Sequence, residues 1–239
     1  MIESVNNEKI KKTAKLNDKK YQDIENKFII EGKHLVEEAL KKGVLEEIFL
    51  IKDEDIDFKN KTFVSEKVMR KLSTLTSIPN ILGVAKKINE GNIVGNVLML
   101  DGIKDPGNMG TIIRSCTAFN IDTLVISKDS ISIYNPKVLR ASEGMIFNQN
   151  IVIADLENVL DNLKDYTIYT TDVNGGEDLK DIKFSKKNAI IIGSEASGVK
   201  DTIKKYADKK LYIKMDPLCE SLNAGVSASI IMYELNNKI

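Results

Sequence analysis

From position 97 onward, short apolar runs recur with helical patterns between them. Runs at 97–100, 123–127, 167–171, 189–192 and 211–214 read as strands, a helix is expected over 111–119, and another closes the sequence from about 223 to 235. Apolar strands separated by helices require cover on both faces, which a parallel sheet flanked by helices supplies. The expected fold class is therefore α/β. Open sheets of this kind gather ligands beyond the carboxyl ends of their strands, so the loops that follow each strand are the places to look for chemistry.

A smaller alternating α/β module precedes this one. Residues 28–32 read as a strand, and 34–42 as a helix with Leu35, Val36, Ala39 and Leu40 at helical spacing and Gly43 closing it. Strands at 47–51 and 63–64, a helix over 65–72 and a strand at 81–86 follow. The stretch 88–96, with Gly91, Gly95 and three asparagines, has a linker's composition. These signals divide the 239 residues into an N-terminal domain over 1–90 and a larger one over 94–239.

Charge narrows the partners. Lysine plus arginine equals aspartate plus glutamate at 35 each, so nothing in the global balance attracts phosphate backbones, and any nucleic-acid contact must be local. One basic cluster exists near the start: Lys9, Lys11, Lys12, Lys15, Lys19 and Lys20, opposed within that stretch only by Asp18. It reads equally as a solvated, frayed terminal helix or as an RNA-contacting arm. Cys116 and Cys219 are far apart and form no disulfide framework or CxxC site, which fits a reduced, cytoplasmic setting. A lone histidine, His34, on an N-terminal helix removes His-rich zinc sites, and no metal is expected. No leader-like segment and no apolar run near the ~20 residues needed to cross a bilayer is present, so no membrane association is expected.

Three segments concentrate glycine and polar residues where a strand has just ended. The first runs from Asp101 through Pro106-Gly107-Asn108-Met109-Gly110 to Phe119. Pro106 and Gly107 make a tight turn, Asn108 sits where a helix begins, and Ile112, Cys116 and Phe119 form its buried stripe. Arg114 leaves on another face, from which an arginine can reach into the cleft above the strand. The second is Gly193-Ser194-Glu195-Ala196-Ser197-Gly198, in which a carboxylate directly follows the strand. The third runs from Leu211 to Val226, with Ser221 or Asn223 as the cap of the last helix.

Taken together and in this order, these segments resemble the three motifs of the TrmH (SpoU) family within the SPOUT superfamily of methyltransferases. The first is matched by Asn108, Gly110, Arg114 and Ala118-Phe119, the second by Gly193-Ser194-Glu195 with Gly198, and the third by Ile213, Met215, Ser221-Leu222-Asn223 and Ser227. Arg140-Ala141-Ser142-Glu143-Gly144 is similar to a further family segment, although Glu143 stands where a small or apolar residue is usual. Lys214 likewise replaces the usual proline of Ile-Pro-Met. The stretch 28–87, with Glu31-Gly32 and Pro79 to Val84, is similar to the RNA-binding domain that precedes the catalytic domain in many members.

The resemblance implies an S-adenosylmethionine-dependent 2′-O-methyltransferase acting on a ribose of structured RNA, ribosomal RNA in preference to transfer RNA. It implies a deep C-terminal trefoil knot, a cofactor held chiefly by backbone around Gly193, Ile213, Met215 and Leu222, and a homodimer in which each site borrows residues from its partner. Arg114, Asn108, Glu195, Ser221 and Asn223 match positions that carry catalysis and substrate binding in relatives. Methyl transfer is an in-line displacement at a sulfonium carbon, so alignment is the main task. Developing charge on the ribose oxygen favours a fixed cation, the role that suits Arg114; relatives' equivalent is also proposed as a general base, which a guanidinium with a pKa above ~12 performs only when desolvated. A Rossmann-type enzyme would need a GxGxxG turn that 101–107 does not supply. A catalytically silent RNA-binding relative would have lost Arg114 or the cofactor loops.

Overall fold

The structure is a computed structural model that describes residues 1–172 and 175–238. The first elements are α1 (Glu8–Lys15), α2 (Lys19–Glu25), β1 (Lys27–Glu31), α3 (Lys33–Lys41), β2 (Leu45–Leu50), β3 (Lys61–Phe63), α4 (Glu66–Leu72) and β4 (Ile81–Lys86). They are followed by β5 (Val97–Asp101), α5 (Pro106–Ala118), β6 (Thr123–Ser127), α6 (Pro136–Ala141), β7 (Ile151–Ala154) and α7 (Leu156–Leu160). The remainder is β8 (Thr167–Thr171), β9 (Glu177–Asp178), β10 (Asn188–Gly193), α8 (Asp201–Lys204), β11 (Lys209–Tyr212) and α9 (Ala224–Asn237). These elements form two compact units.

The first unit comprises Met1–Asn89 together with a later segment, Ser132–Phe147. Its sheet has the order β1-β4-β2-β3, with β4 antiparallel to both neighbours and β3 parallel to β2. Ile10 of α1 is wholly buried among Phe49, Val64, Val68, Met69 and Leu72, so the leading basic helix is packed rather than frayed. Asn7 caps it by accepting from the amide of Lys9, and Asp18 caps α2 in the same way through Lys20. The segment 132–147, which the sequence places inside the 94–239 domain, joins this unit because its aromatic rings find their core here. Tyr134 and Phe147 lie 4.6 and 6.3 Å from the ring of Phe28. The Arg140 guanidinium stands 3.7 Å from the buried carboxylate of Glu31, which also accepts from the amide and hydroxyl of Thr74 at 2.7 and 2.9 Å. His34 meets the main-chain oxygen of Glu143 at 3.1 Å, a surface role.

The second unit, Glu90–Ile131 and the chain from Asn148 onward, is built on a seven-stranded sheet of order β7-β6-β5-β10-β8-β11-β9. Every pairing in it is parallel, as the apolar strands require. One face buries Val97, Met99, Val125, Ala189 and Ile191 against Leu156, Val159 and Leu160 of α7 and Ile203 of α8. The alternate residues Leu98, Leu100, Leu124, Ile190 and Ile192 are buried on the opposite face, as the two-residue period of a strand dictates. There α9 packs on β10 and on α5, with Cys116 Sγ 3.5 Å from Met232 Sδ and the Ser115 and Ser229 hydroxyls 2.8 Å apart. β7 and β9 were not foreseen; at four and two residues they are too short to carry a periodic signal. Among the described residues no helix is long and apolar enough to cross a membrane.

Candidate functional site

Three segments that follow β5, β10 and β11 carry the expected site residues, and β10, β8 and β11 are neighbours in the sheet. The first contribution comes from the start of α5. Asp105 caps this helix by accepting from the amide of Asn108 at 2.8 Å, and Pro106 occupies its first turn, so α5 begins five residues before the expected start at 111. Asn108 therefore lies within the first turn. It is buried, and its side-chain amide donates to the carboxylate of Glu195.

The second loop folds tightly on itself. Ser194 and Gly198 exchange main-chain hydrogen bonds of 3.2 and 2.9 Å, Gly198 adopts a positive φ of 65°, and a Cβ on Gly193 would sit 2.0 Å from the carbonyl carbon of Gly198. Only glycine satisfies that approach at 193. The far end of the loop is tied to β5: the amide of Lys200 donates to Asp101 Oδ2 at 2.7 Å, and its ammonium lies 3.0 Å from Asp101 Oδ1 and 3.0 Å from Asp129 Oδ2. Two anchors, Glu195 to Asn108 and Lys200 to Asp101, thus fasten the loop to the β5–α5 segment.

Charge in this clamp follows its partners. Hydrogen bonds from the Ser127 hydroxyl and the Lys200 ammonium hold the Asp129 carboxyl below its ordinary 3.8, and Asp129 with Asp101 raises Lys200 above its ordinary 10.5. The lysine's contribution is therefore complete below 10.5 and lost as pH rises through its folded value, whereas that of Asp129 is present above 3.8 and lost as pH falls through its folded value. Lys200→Met is expected to destabilise the protein by ~1–2 kcal/mol, a buried pair's cost discounted for a half-exposed ammonium. In denaturant titrations that difference should hold from about pH 5 to 9 and shrink below about pH 4; a difference that grows in acid would contradict this assignment.

The third loop spans 213–223. β11 ends at Tyr212, two residues before the expected end at 214, which leaves Ile213 and Met215 in irregular chain. Asn223, not Ser221, caps α9, accepting from the amide of Val226 at 3.2 Å.

The second and third loops, with Thr171 and Asp172 at the end of β8, line a cavity of about 530 Å³. Gly193, Ile213, Met215 and Leu222, the residues expected to hold the cofactor, all line it, as do Glu195, Ser221 and Asn223. Asn108 stands just outside but is tied to one lining residue, Glu195, by its side-chain amide. Arg114 is not brought in. It follows Asn108 by six residues, about 240° around the helix, is exposed, and has no carboxylate partner among the described residues. The expectation that it reaches the cleft above its own strand is not met within one chain. Asp172, Lys204 and Tyr212 also line the cavity and were missed. Asp172 directly follows β8, so the strand-end rule pointed to its position, but no motif marked it.

The cysteines differ sharply in environment. Cys116 is fully buried, which raises its thiol far above the ordinary range, whereas Cys219 is exposed on the third loop. A chromogenic disulfide reagent is expected to titrate one thiol in the folded protein and two in denaturant; two fast thiols without denaturant would contradict the burial of Cys116.

With this geometry in place, comparison with known proteins settles the family. The profile of the SpoU rRNA methylase family matches residues 95–233, and that of the MRM3-like substrate binding domain matches residues 7–83. The chain belongs to the SpoU rRNA methylase family, as the three motifs led one to expect. It is 34% identical over 244 residues to the 23S rRNA (guanosine(2553)-2′-O)-methyltransferase RlmP of Bacillus subtilis, covering 98% of each protein. A crystal structure of an RNA 2′-O ribose methyltransferase superposes with a TM-score of 0.86 at 26% identity, covering 99% of this chain and 98% of the other. The methyltransferase AviRb of Streptomyces viridochromogenes, solved with AdoMet, shares the fold with a TM-score of 0.88 at 19% identity and 98% coverage of both chains.

Proposed function

We propose that this protein transfers a methyl group from S-adenosylmethionine to the 2′-hydroxyl of a ribose in ribosomal RNA. The observation that carries this reading is one cavity lined by the second and third motif loops, with the Glu195 carboxylate at its edge held by Asn108 of the first. The cavity suits the cofactor. Its volume of about 530 Å³ is that of a small-molecule pocket, its lining is rich in main chain outside any helix or sheet ladder, and Asp172 and Glu195 complement a sulfonium. Gly193, Ile213, Met215 and Leu222 hold the cofactor, which when bound supplies an electrophilic methyl group.

The remaining residues orient the acceptor. Ser221 and Asn223 hydrogen-bond ribose or phosphate, and Asn108 fixes the rotamer of Glu195. Arg114 provides the cation beside the ribose oxygen from a second copy of the chain. Support for such a homodimer comes from α9, where Val226 and Tyr233 are exposed at 46% and 52% and flank the half-buried Ile230, an apolar stripe at helical spacing. Phe119, the C-cap of α5, packs edge-on against Tyr233, 5.7 Å between centroids, and continues that stripe towards the helix that carries Arg114. A deep trefoil knot in the C-terminal domain and a cytoplasmic site of action belong to the same reading. Ribosomal RNA is preferred to transfer RNA because the Bacillus subtilis relative is named for 23S rRNA.

The test is incubation with methyl-labelled S-adenosylmethionine and total RNA, followed by mapping of ribose-methylated nucleotides. Label at a single 2′-oxygen of ribosomal RNA is expected. Label in transfer RNA alone, or in protein, DNA or a small molecule, would replace the substrate assignment.

A further inference from the structure

The leading basic cluster resolves into two kinds of lysine. Lys9 pairs with Glu47, Lys11 with Glu8 at 3.0 Å, Lys12 with Glu25 at 3.3 Å and Lys19 with Asp23 at 2.6 Å. Lys15 and Lys20 have no carboxylate partner among the described residues, and both stand over one ring: their ammonium groups lie 5.2 and 6.0 Å from the centroid of Tyr21. The nearby Asp18 is engaged as the cap of α2. One turn beyond Tyr21, Ile24 is 65% exposed. The first unit thus presents a half-exposed aromatic ring flanked by two cations without a carboxylate partner and an exposed aliphatic side chain, at the end of α1 and along α2.

From this arrangement we propose that Lys15, Lys20, Tyr21 and Ile24 form a docking platform for single-stranded RNA. The two ammonium groups contact successive phosphates, and an unstacked base lies on Tyr21 and Ile24. An unpaired base has a free face to stack, whereas bases inside a duplex are already stacked on each other, so the ring selects single strands. Phosphates displace no carboxylate here, because neither lysine is paired with one among the described residues. The four paired lysines would each forfeit an existing ion pair. This platform rests on the reading of the protein as an RNA-modifying enzyme and adds to it a recognition surface distinct from the methyl-transfer cavity.

The test compares two double variants of the full-length protein with equal charge change, Lys15→Gln/Lys20→Gln and Lys11→Gln/Lys19→Gln, together with Tyr21→Ala. Affinity is measured by fluorescence anisotropy with a labelled mixed-sequence single-stranded RNA of about 12 nucleotides, from ~50 to ~200 mM salt, and with a duplex of the same length. Losing two phosphate contacts should lower the slope of log affinity against log salt by about 1.4 for Lys15→Gln/Lys20→Gln. The matched pair of ion-paired lysines should change it by less than about 0.5. Tyr21→Ala should weaken single-strand binding about tenfold with little change in slope. An unchanged slope in Lys15→Gln/Lys20→Gln, an equal fall in both double variants, or equal binding of duplex and single strand overturns the platform. If RNA is methylated but these variants bind it normally, the platform alone falls; if no RNA is methylated, the functional reading falls first.

Discussion

Arg114→Ala is expected to reduce methyl transfer by about 10²–10³-fold, the loss that follows removal of one fixed charge-stabilising group from a reacting centre. Affinity for S-adenosylhomocysteine should stay within about twofold, a few tenths of a kcal/mol, because Arg114 lines no part of the cavity in its own chain. Mixing supplies the sharper result. If each site pairs one chain's cavity with the other chain's arginine, Arg114→Ala mixed with a cavity-defective variant regains one working site per mixed dimer, about a quarter of wild-type activity after exchange. A mixture that exchanges subunits, as followed by native mass spectrometry, yet stays inactive would place Arg114 outside the partner's site. Arg114→Lys keeps the charge but loses the planar fork and should recover only part of the rate.

The cavity-defective partner is itself the second prediction. A methyl group on Gly193 would meet the carbonyl carbon of Gly198 at 2.0 Å and the amide nitrogen of Val199 at 2.1 Å, both backbone atoms that no side-chain rotation can move. Gly193→Ala is therefore expected to force the 193–199 loop open at a stability cost of about 1–3 kcal/mol. Affinity for S-adenosylhomocysteine should fall about a hundredfold, 2.7 kcal/mol, in calorimetry. The sheet beneath keeps its core, so circular dichroism should remain that of a folded α/β protein. Wild-type affinity in this variant would mean that the loop does not hold the cofactor.

The sequence disclosed the sheet of the second unit and most of its cavity for the same reason. Buried strands such as 123–127 and 189–192 are apolar throughout, and the glycines that follow them mark where backbone must approach backbone. What escaped it depends on chain geometry that no local pattern records. The start of α5 was placed late because Gly107 and Gly110 look like turn residues, while Asp105 as cap and Pro106 in the first turn outweigh them. Asp172 and Lys204 were missed because their place in the site comes from the order of strands in the sheet, not from any spacing along the chain. The position of Arg114 was half legible: its departure from the buried stripe followed from the helical period, but its exposed side chain does not line the cavity of its own chain. The division of the leading lysines into paired and uncommitted ones was invisible, since Glu47 is brought to Lys9 only by folding.

Because residues 132–147 interrupt the methylase half of the polypeptide and complete the core around Phe28 and Glu31, the two halves are not separable by one cut. An expression product starting at residue 90 would carry Tyr134, Phe147 and Arg140 with nothing to bury them, an invitation to aggregate. A product ending at residue 89 would lack the aromatic lid of its own sheet. Laboratory exchange of RNA-recognition modules between relatives should therefore transplant residues 132–147 along with the first 89.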